Sequence, residues 1–203
     1  AAIGSNIGEL LVNQARFEEA ETILREAARG ERASGFLEGA AAMRLGRLLI
    51  LTGSPNEAQT ILERSHREFT DLKLGFTALE AEMELARAWL ALGRPEQAEE
   101  ALARLERRGG EDAVMLAPTL ARYRAEALSA LGQVVQALAV AQRGLERARA
   151  QDLEYEAALL SLAVGLLEHR RSDGAESPQP TEALHTLERL GVRDPSALTV
   201  EVP

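Results

Sequence analysis

Apolar residues recur along this chain at intervals of three and four, in stretches of a dozen or more residues separated by short polar breaks. Met43, Leu45, Leu48, Leu49 and Leu51 form one such stretch. Ala58, Ile61, Leu62, Ser65 and Phe69 form the next, with the i, i+3, i+4, i+7 spacing of an amphipathic helix. Between them lies TGSPNE, residues 52–57. Gly53 suits the left-handed residue that ends a helix, Ser54 suits a cap, Pro55 the first helical position, and Glu57 the far corner of a capping box. Gly93 and Pro95 repeat this punctuation. Each pair of stretches therefore predicts a helical hairpin.

The hairpins repeat. RFEEAETIL, SPNEAQTIL, RPEQAEEAL and QVVQALAVA place Ala20, Ala58, Ala98 and Ala137 in register at intervals of 38, 40 and 39 residues, a period that indicates a solenoid. The order of large and small residues resembles a tetratricopeptide repeat with longer arms. The first unit supplies Ile7, Gly8, Leu11, Ala20, Leu24 and Ala27, and the second Leu45, Gly46, Leu49, Ala58, Leu62 and Ser65. The third supplies Leu85, Ala86, Trp89, Ala98 and Leu102, with Leu105 where a small residue is usual. The fourth is looser, with Ala125, Leu128, Ala137, Ala141 and Gly144. Leu159, Leu162, Ala163, Leu166 and Leu167, followed by TEALHTLERLG, make a degenerate fifth. The expected fold is an all-α, right-handed superhelical solenoid, a single domain over 1–203 of about five antiparallel hairpins at 1–34, 36–72, 76–108, 113–150 and 153–191. The polar stretch 171–180 predicts a mobile loop, and Asp194 with Pro195 a short terminal turn.

Composition agrees with helix. Of the 203 residues 46% are hydrophobic but only 3% aromatic, so the apolar mass is alanine and leucine rather than the β-branched and aromatic residues of a sandwich or barrel. The net charge of −9 is spread as interspersed charges of both signs, which excludes nucleic acid as a partner, since a phosphate-binding surface needs clustered positive charge. Lys73 is the sole lysine, an arginine bias that reads as a GC-rich genome. The absence of cysteine fits a reducing cytoplasm, and no apolar run approaches the roughly 18 residues of a membrane span. The chain opens with Ala1-Ala2-Ile3, already inside a helical pattern, as expected of a fragment of a longer protein.

Nothing in the sequence predicts catalysis, a cofactor or a metal. A phosphate loop needs glycines followed by Lys and Ser or Thr, and Lys73 sits instead in DLKLGF. His66, His169 and His185 fall in separate helices without metal-ligand spacing. Adjacent acids such as Glu18-Glu19 point about 100° apart on a helix and face water. The serines lack the strand–turn–helix context of a nucleophile. What remains is the inner face of the repeat. Carrying over the positions that tetratricopeptide arrays expose on their first helices selects Met43, Arg44, Arg47, Met83, Arg87, Arg122, Tyr123 and Glu126, a surface suited to an acidic or mixed protein or peptide. The Lys and Asn clamp by which some such repeats hold a C-terminal carboxylate is not matched; those places hold Ser5, Glu9, Met43 and Arg47.

The segments SNIGELLVNQARFEEAETILREA, RLGRLLILTGSPNEAQTILERSHREF, LARAWLALGRPEQAEEAL and the closing LERLGV resemble the C-terminal helical region of large bacterial, especially actinobacterial, signalling proteins. In that family a class III adenylate or guanylate cyclase domain precedes an ATPase module, and tetratricopeptide-like hairpins finish the chain. Similar arrays end ATPase-containing transcription regulators of the maltose-regulator type. The resemblance implies a non-catalytic, cytoplasmic interaction and regulatory scaffold that binds a protein, a peptide or another domain of its own chain. A homo-oligomerisation module, for instance in a homodimer, and a sensor domain are the alternatives.

Overall fold

In the computed structural model, residues 2–29, 35–108, 110–172 and 181–193 are described. Their regular structure is all helix: α1 (Ala2–Asn13), α2 (Phe17–Ala28), α3 (Gly35–Leu51), α4 (Pro55–Asp71), α5 (Gly75–Ala91), α6 (Pro95–Arg108), α7 (Glu111–Ala130), α8 (Val134–Ala150), α9 (Glu154–Arg171) and α10 (Thr181–Arg189). The described residues fall into two compact units, one within 2–94 and one within 95–193. Residues 173–180 of the anticipated loop, and the anticipated turn at Asp194, lie outside the described residues.

The turns share one device. Each of the residues Ala15, Gly53, Lys73, Gly93, Gly132, Asp152 and Gly191 has positive φ. At each, its own N–H reaches back three residues and the next N–H reaches back five, as in Ser54 N–H to the Leu49 carbonyl at 2.8 Å and Leu74 N–H to the Phe69 carbonyl at 2.9 Å. This is the Schellman motif, which satisfies carbonyls that a helix end leaves without partners. It also corrects the capping box expected at Ser54. A box requires Glu57 to accept from the Ser54 N–H, but that donor is already committed to Leu49. Ser54 makes no side-chain cap bond, and Glu57 accepts from Arg25 at 2.6 and 3.2 Å.

In the first unit, the small positions let paired helices approach closely. A Cβ placed on Gly8 would lie 2.5 Å from Leu24 Cγ, and one on Gly46 would lie 2.6 Å from Leu62 Cγ. Ala20, Leu24, Ala58 and Leu62 are fully buried and join Leu11, Val12, Leu45, Leu48, Leu49, Ile50, Leu85 and Ala88 in one apolar cluster. Ser65, at a small position, is buried too and returns its hydroxyl to the Ile61 carbonyl at 3.2 Å.

The second unit buries Ala125, Leu128, Ala137, Leu138, Val140, Ala141, Leu160 and Leu167 together. Leu166, read from the sequence as part of the fifth apolar face, is exposed; α9 instead buries Ala158, Leu159, Leu160 and Leu167. Pro118 lies inside α7, where it supplies no N–H to the Val114 carbonyl four residues back. The Gln151 side-chain amide donates to that carbonyl at 3.3 Å, replacing the missing bond from a turn 37 residues away in sequence.

Candidate functional site

In the first unit the first helices of successive hairpins, α1, α3 and α5, are joined by a row of charged side chains. Arg44 of α3 donates to Glu9 of α1 at 2.9 Å and to the Ser5 hydroxyl at 2.8 Å. Arg47, one turn further along α3, donates to Glu84 of α5 through Nε at 2.9 Å and Nη2 at 2.7 Å, and its Nη1 lies 3.9 Å from Glu9. Arg87 donates to the other oxygen of Glu84 at 3.3 Å. Acid and base therefore alternate across three helices. Glu84 and Arg87 are buried, whereas the side chains of Glu9 and Arg47 keep 44% and 40% of their exposure, so the row is sealed at α5 and open towards α1. Glu80 lies within the field of this row. Burial pushes its carboxyl above the usual range; Arg47 and Arg44 oppose the rise, and Glu84 and Glu9 add to it.

The second unit has its own version. Arg122 of α7 donates to Glu156 of α9 at 2.6 Å and to Glu126 at 3.4 Å, and its guanidinium stacks 4.6 Å from the Tyr123 ring centre. Burial works against the charged guanidinium, but Glu156, Tyr123 and Glu126 outweigh it and hold Arg122 well above its ordinary pKa. Arg124 faces α6, where it pairs with Glu99 at 2.9 Å and with Glu106. Arg189 of α10 pairs with Glu154 of α9.

Of the residues expected on an exposed inner face, Met43, Arg44 and Arg47 are half-buried in the first unit, and Glu126 is half-buried in the second. Met83 and Arg87 in the first unit, and Arg122 and Tyr123 in the second, are buried. The expectation of exposure at those four positions is corrected, for two physical reasons. Met83 and Tyr123 present large apolar surfaces that gain from leaving water, and Arg87 and Arg122 find carboxylates one turn along or on the next first helix. The structure gathers Arg44, Arg47 and Arg87 around Glu9 and Glu84, and Arg122, Tyr123 and Glu126 around Glu156. Sequence reasoning missed these acceptors. Their signal is the repeat itself, since Glu84 follows Arg47 by 37 residues and Arg44 follows Glu9 by 35, close to one period.

Among the described residues no group of three or more His, Asp or Glu side chains is arranged to hold a metal ion. No helix among them is long and apolar enough to cross a membrane. No protein-family model matches the chain, and no curated protein matches it in sequence. Solved structures do resemble it. MamA RS-1 ArsTM double mutant is 16% identical with a TM-score of 0.51, over 95% of this chain and 96% of that one. MamA MSR-1 C2 is 14% identical with a TM-score of 0.48, over 92% and 95%. Identity this low speaks to fold alone: the chain is an all-α, tetratricopeptide-like repeat of antiparallel helical hairpins.

Proposed function

We propose that this chain is a non-catalytic protein-interaction scaffold that binds a charged peptide or domain along the first-helix face of its first unit, and that it serves as the regulatory tail of a cytoplasmic signalling protein, a nucleotide cyclase by the resemblance of its sequence. The observation that carries the reading is the half-open ion-pair row. Arg44 and Arg47 share Glu9 near water, so an incoming carboxylate can take the place of Glu9 with little desolvation cost, whereas the sealed pairs at Glu84 fix the helices that present them. A ligand aligned along α1, α3 and α5 then meets a pattern of alternating sign, which gives register as well as affinity. Occupancy reaches the rest of the protein by changing how successive hairpins pack.

The test is a random peptide library panned on the chain. Enrichment of acidic or mixed-charge sequences, lost when Arg44 and Arg47 are both replaced by glutamate, supports the scaffold. Failure to enrich, or enrichment indifferent to that double replacement, overturns it. The signalling context has its own check in the coding sequence ahead of Ala1, which should carry the metal-binding aspartates of a cyclase and the phosphate loop of an ATPase.

A further inference from the structure

The first unit contains three first helices in one register, set by the small residues Gly8, Gly46 and Ala86. Position by position, Ile3, Ile7 and Leu10 of α1 correspond to Ala41, Leu45 and Leu48 of α3 and to Ala81, Leu85 and Ala88 of α5. In α3 these residues are 0%, 3% and 0% exposed, and in α5 they are 0%, 7% and 0%. Leu45 and Leu48 share one apolar cluster with Leu11, Val12 and Leu24 of the preceding hairpin, and Leu85 and Ala88 share it with Leu49, Ile50 and Leu62 of theirs. This face is thus the one by which each first helix seats on the hairpin before it. On α1 the same three positions are 77%, 42% and 61% exposed, and all three are large and branched.

In the second unit, α9 does not offer the matching edge. The receiving residues are the apolar pairs Leu11–Val12 and Leu49–Ile50, equivalent to Trp89–Leu90 of α5. Counted from the left-handed residue ahead of each helix, Lys73 and Asp152, the corresponding pair on α9 is Glu168–His169, a polar edge with His169 exposed. A second copy seating its α9 on α1 would bury that carboxylate and imidazole against Ile3 and Leu10, which is unfavourable.

We infer that the α1 face is the seat of a further hairpin of the same repeat type, supplied by the roughly 40 residues of polypeptide ahead of Ala1, one repeat period, and carrying a large apolar pair on its receiving edge like Leu11–Val12. The inference stands apart from the function proposed above, which concerns the polar row of the first-helix face and not this apolar one. It makes Ile3, Ile7 and Leu10 interior residues of a longer array.

The experiment compares the present chain with one extended by the natural upstream codons, each with and without Leu10→Glu. In the present chain Leu10→Glu should leave the urea midpoint unchanged. In the extended chain α1 amides should exchange more slowly with deuterium, and Leu10→Glu should lower the midpoint and restore fast exchange. An upstream segment that is not helical, or an extended chain equally indifferent to Leu10→Glu, overturns the inference. So does a present chain whose mass rises with concentration and falls back to the monomer value with Leu10→Glu, which would make a second copy the occupant. The peptide-library result bears on none of these outcomes, so the two readings fail separately.

Discussion

Replacing Gly46 by alanine sets two effects of known size against each other. An alanine in a helix interior is favoured over glycine by about 1 kcal/mol. At this position, however, the new Cβ would lie 2.6, 2.8 and 3.2 Å from Leu62 Cγ, Cδ2 and Cδ1. Carbon atoms rest at roughly 3.5 to 4 Å, so Leu62 must retreat by about 1 Å. It has nowhere to go, being fully buried among Leu24, Leu45 and Leu49, and overpacking of this kind costs about 1 to 3 kcal/mol. Gly46→Ala should therefore lower stability by up to about 2 kcal/mol. Leu62→Ala alone should cost about 2 to 5 kcal/mol as a core truncation. In that background the clash is gone, and Gly46→Ala should stabilise the chain by about 1 kcal/mol. Urea denaturation of the four proteins closes the double-mutant cycle, with a coupling of about 1 to 3 kcal/mol. If Gly46→Ala stabilises equally in both backgrounds, close helix approach is not why the small position exists.

Other expectations follow from the buried charges and the turns. Glu156→Leu leaves Arg122 charged and enclosed without its 2.6 Å partner, facing Glu126 at 3.4 Å and the Tyr123 ring; it should cost about 3 kcal/mol in chemical denaturation, while the double replacement Arg122→Met, Glu156→Leu should return to within about 1 kcal/mol of wild type. Because the native Glu80 carboxyl holds its proton to higher pH than the unfolded chain does, its contribution to stability declines as pH rises from the ordinary carboxylate range through the raised native value. Glu80→Gln should thus be more stable than wild type near neutral pH, with the gap closing once pH falls below the ordinary carboxylate range; a gap constant with pH contradicts the assignment. Lys73→Gly, at φ 58°, should raise stability by about 1 kcal/mol, and Gly53→Ala, at φ 79° with no atom near the new Cβ, should lower it by about as much. Thermal melts of this pair separate backbone conformation from packing, since neither change touches the core.

The helical hairpins were legible because their signals are local. Gly53 followed by Pro55 is visible as a stop and a start, and Gly46 opposite Leu62 is visible as a recurring small–large pair. The turns at Ala15 and Lys73 were not legible, since neither residue advertises a left-handed backbone, and Asp152 does so far more weakly than glycine; there the hydrogen bonds of the flanking helices impose it. The capping box at Ser54 and Glu57 failed because a local motif competed with the preceding helix for one N–H. In the candidate site, the identity of the charged positions could be read from the repeat, but not their state. Whether Arg122 lines a surface or lies enclosed depends on Glu156, 34 residues on, and on how closely α7 and α9 approach. A single arginine in a sequence carries no record of that distance.

Within each unit, the ion pairs that bind one first helix to the next join residues about one period apart: 35 for Arg44 and Glu9, 37 for Arg47 and Glu84, 34 for Arg122 and Glu156. Closing a loop costs entropy that grows with its length, so each of these contacts demands a modest and nearly equal ordering of the chain. None of them has to wait for a distant segment. Contacts of this range favour rapid folding, and within each unit they allow a first helix to lock onto the one before it while the chain behind is still being synthesised, with the growing polypeptide protected one repeat at a time.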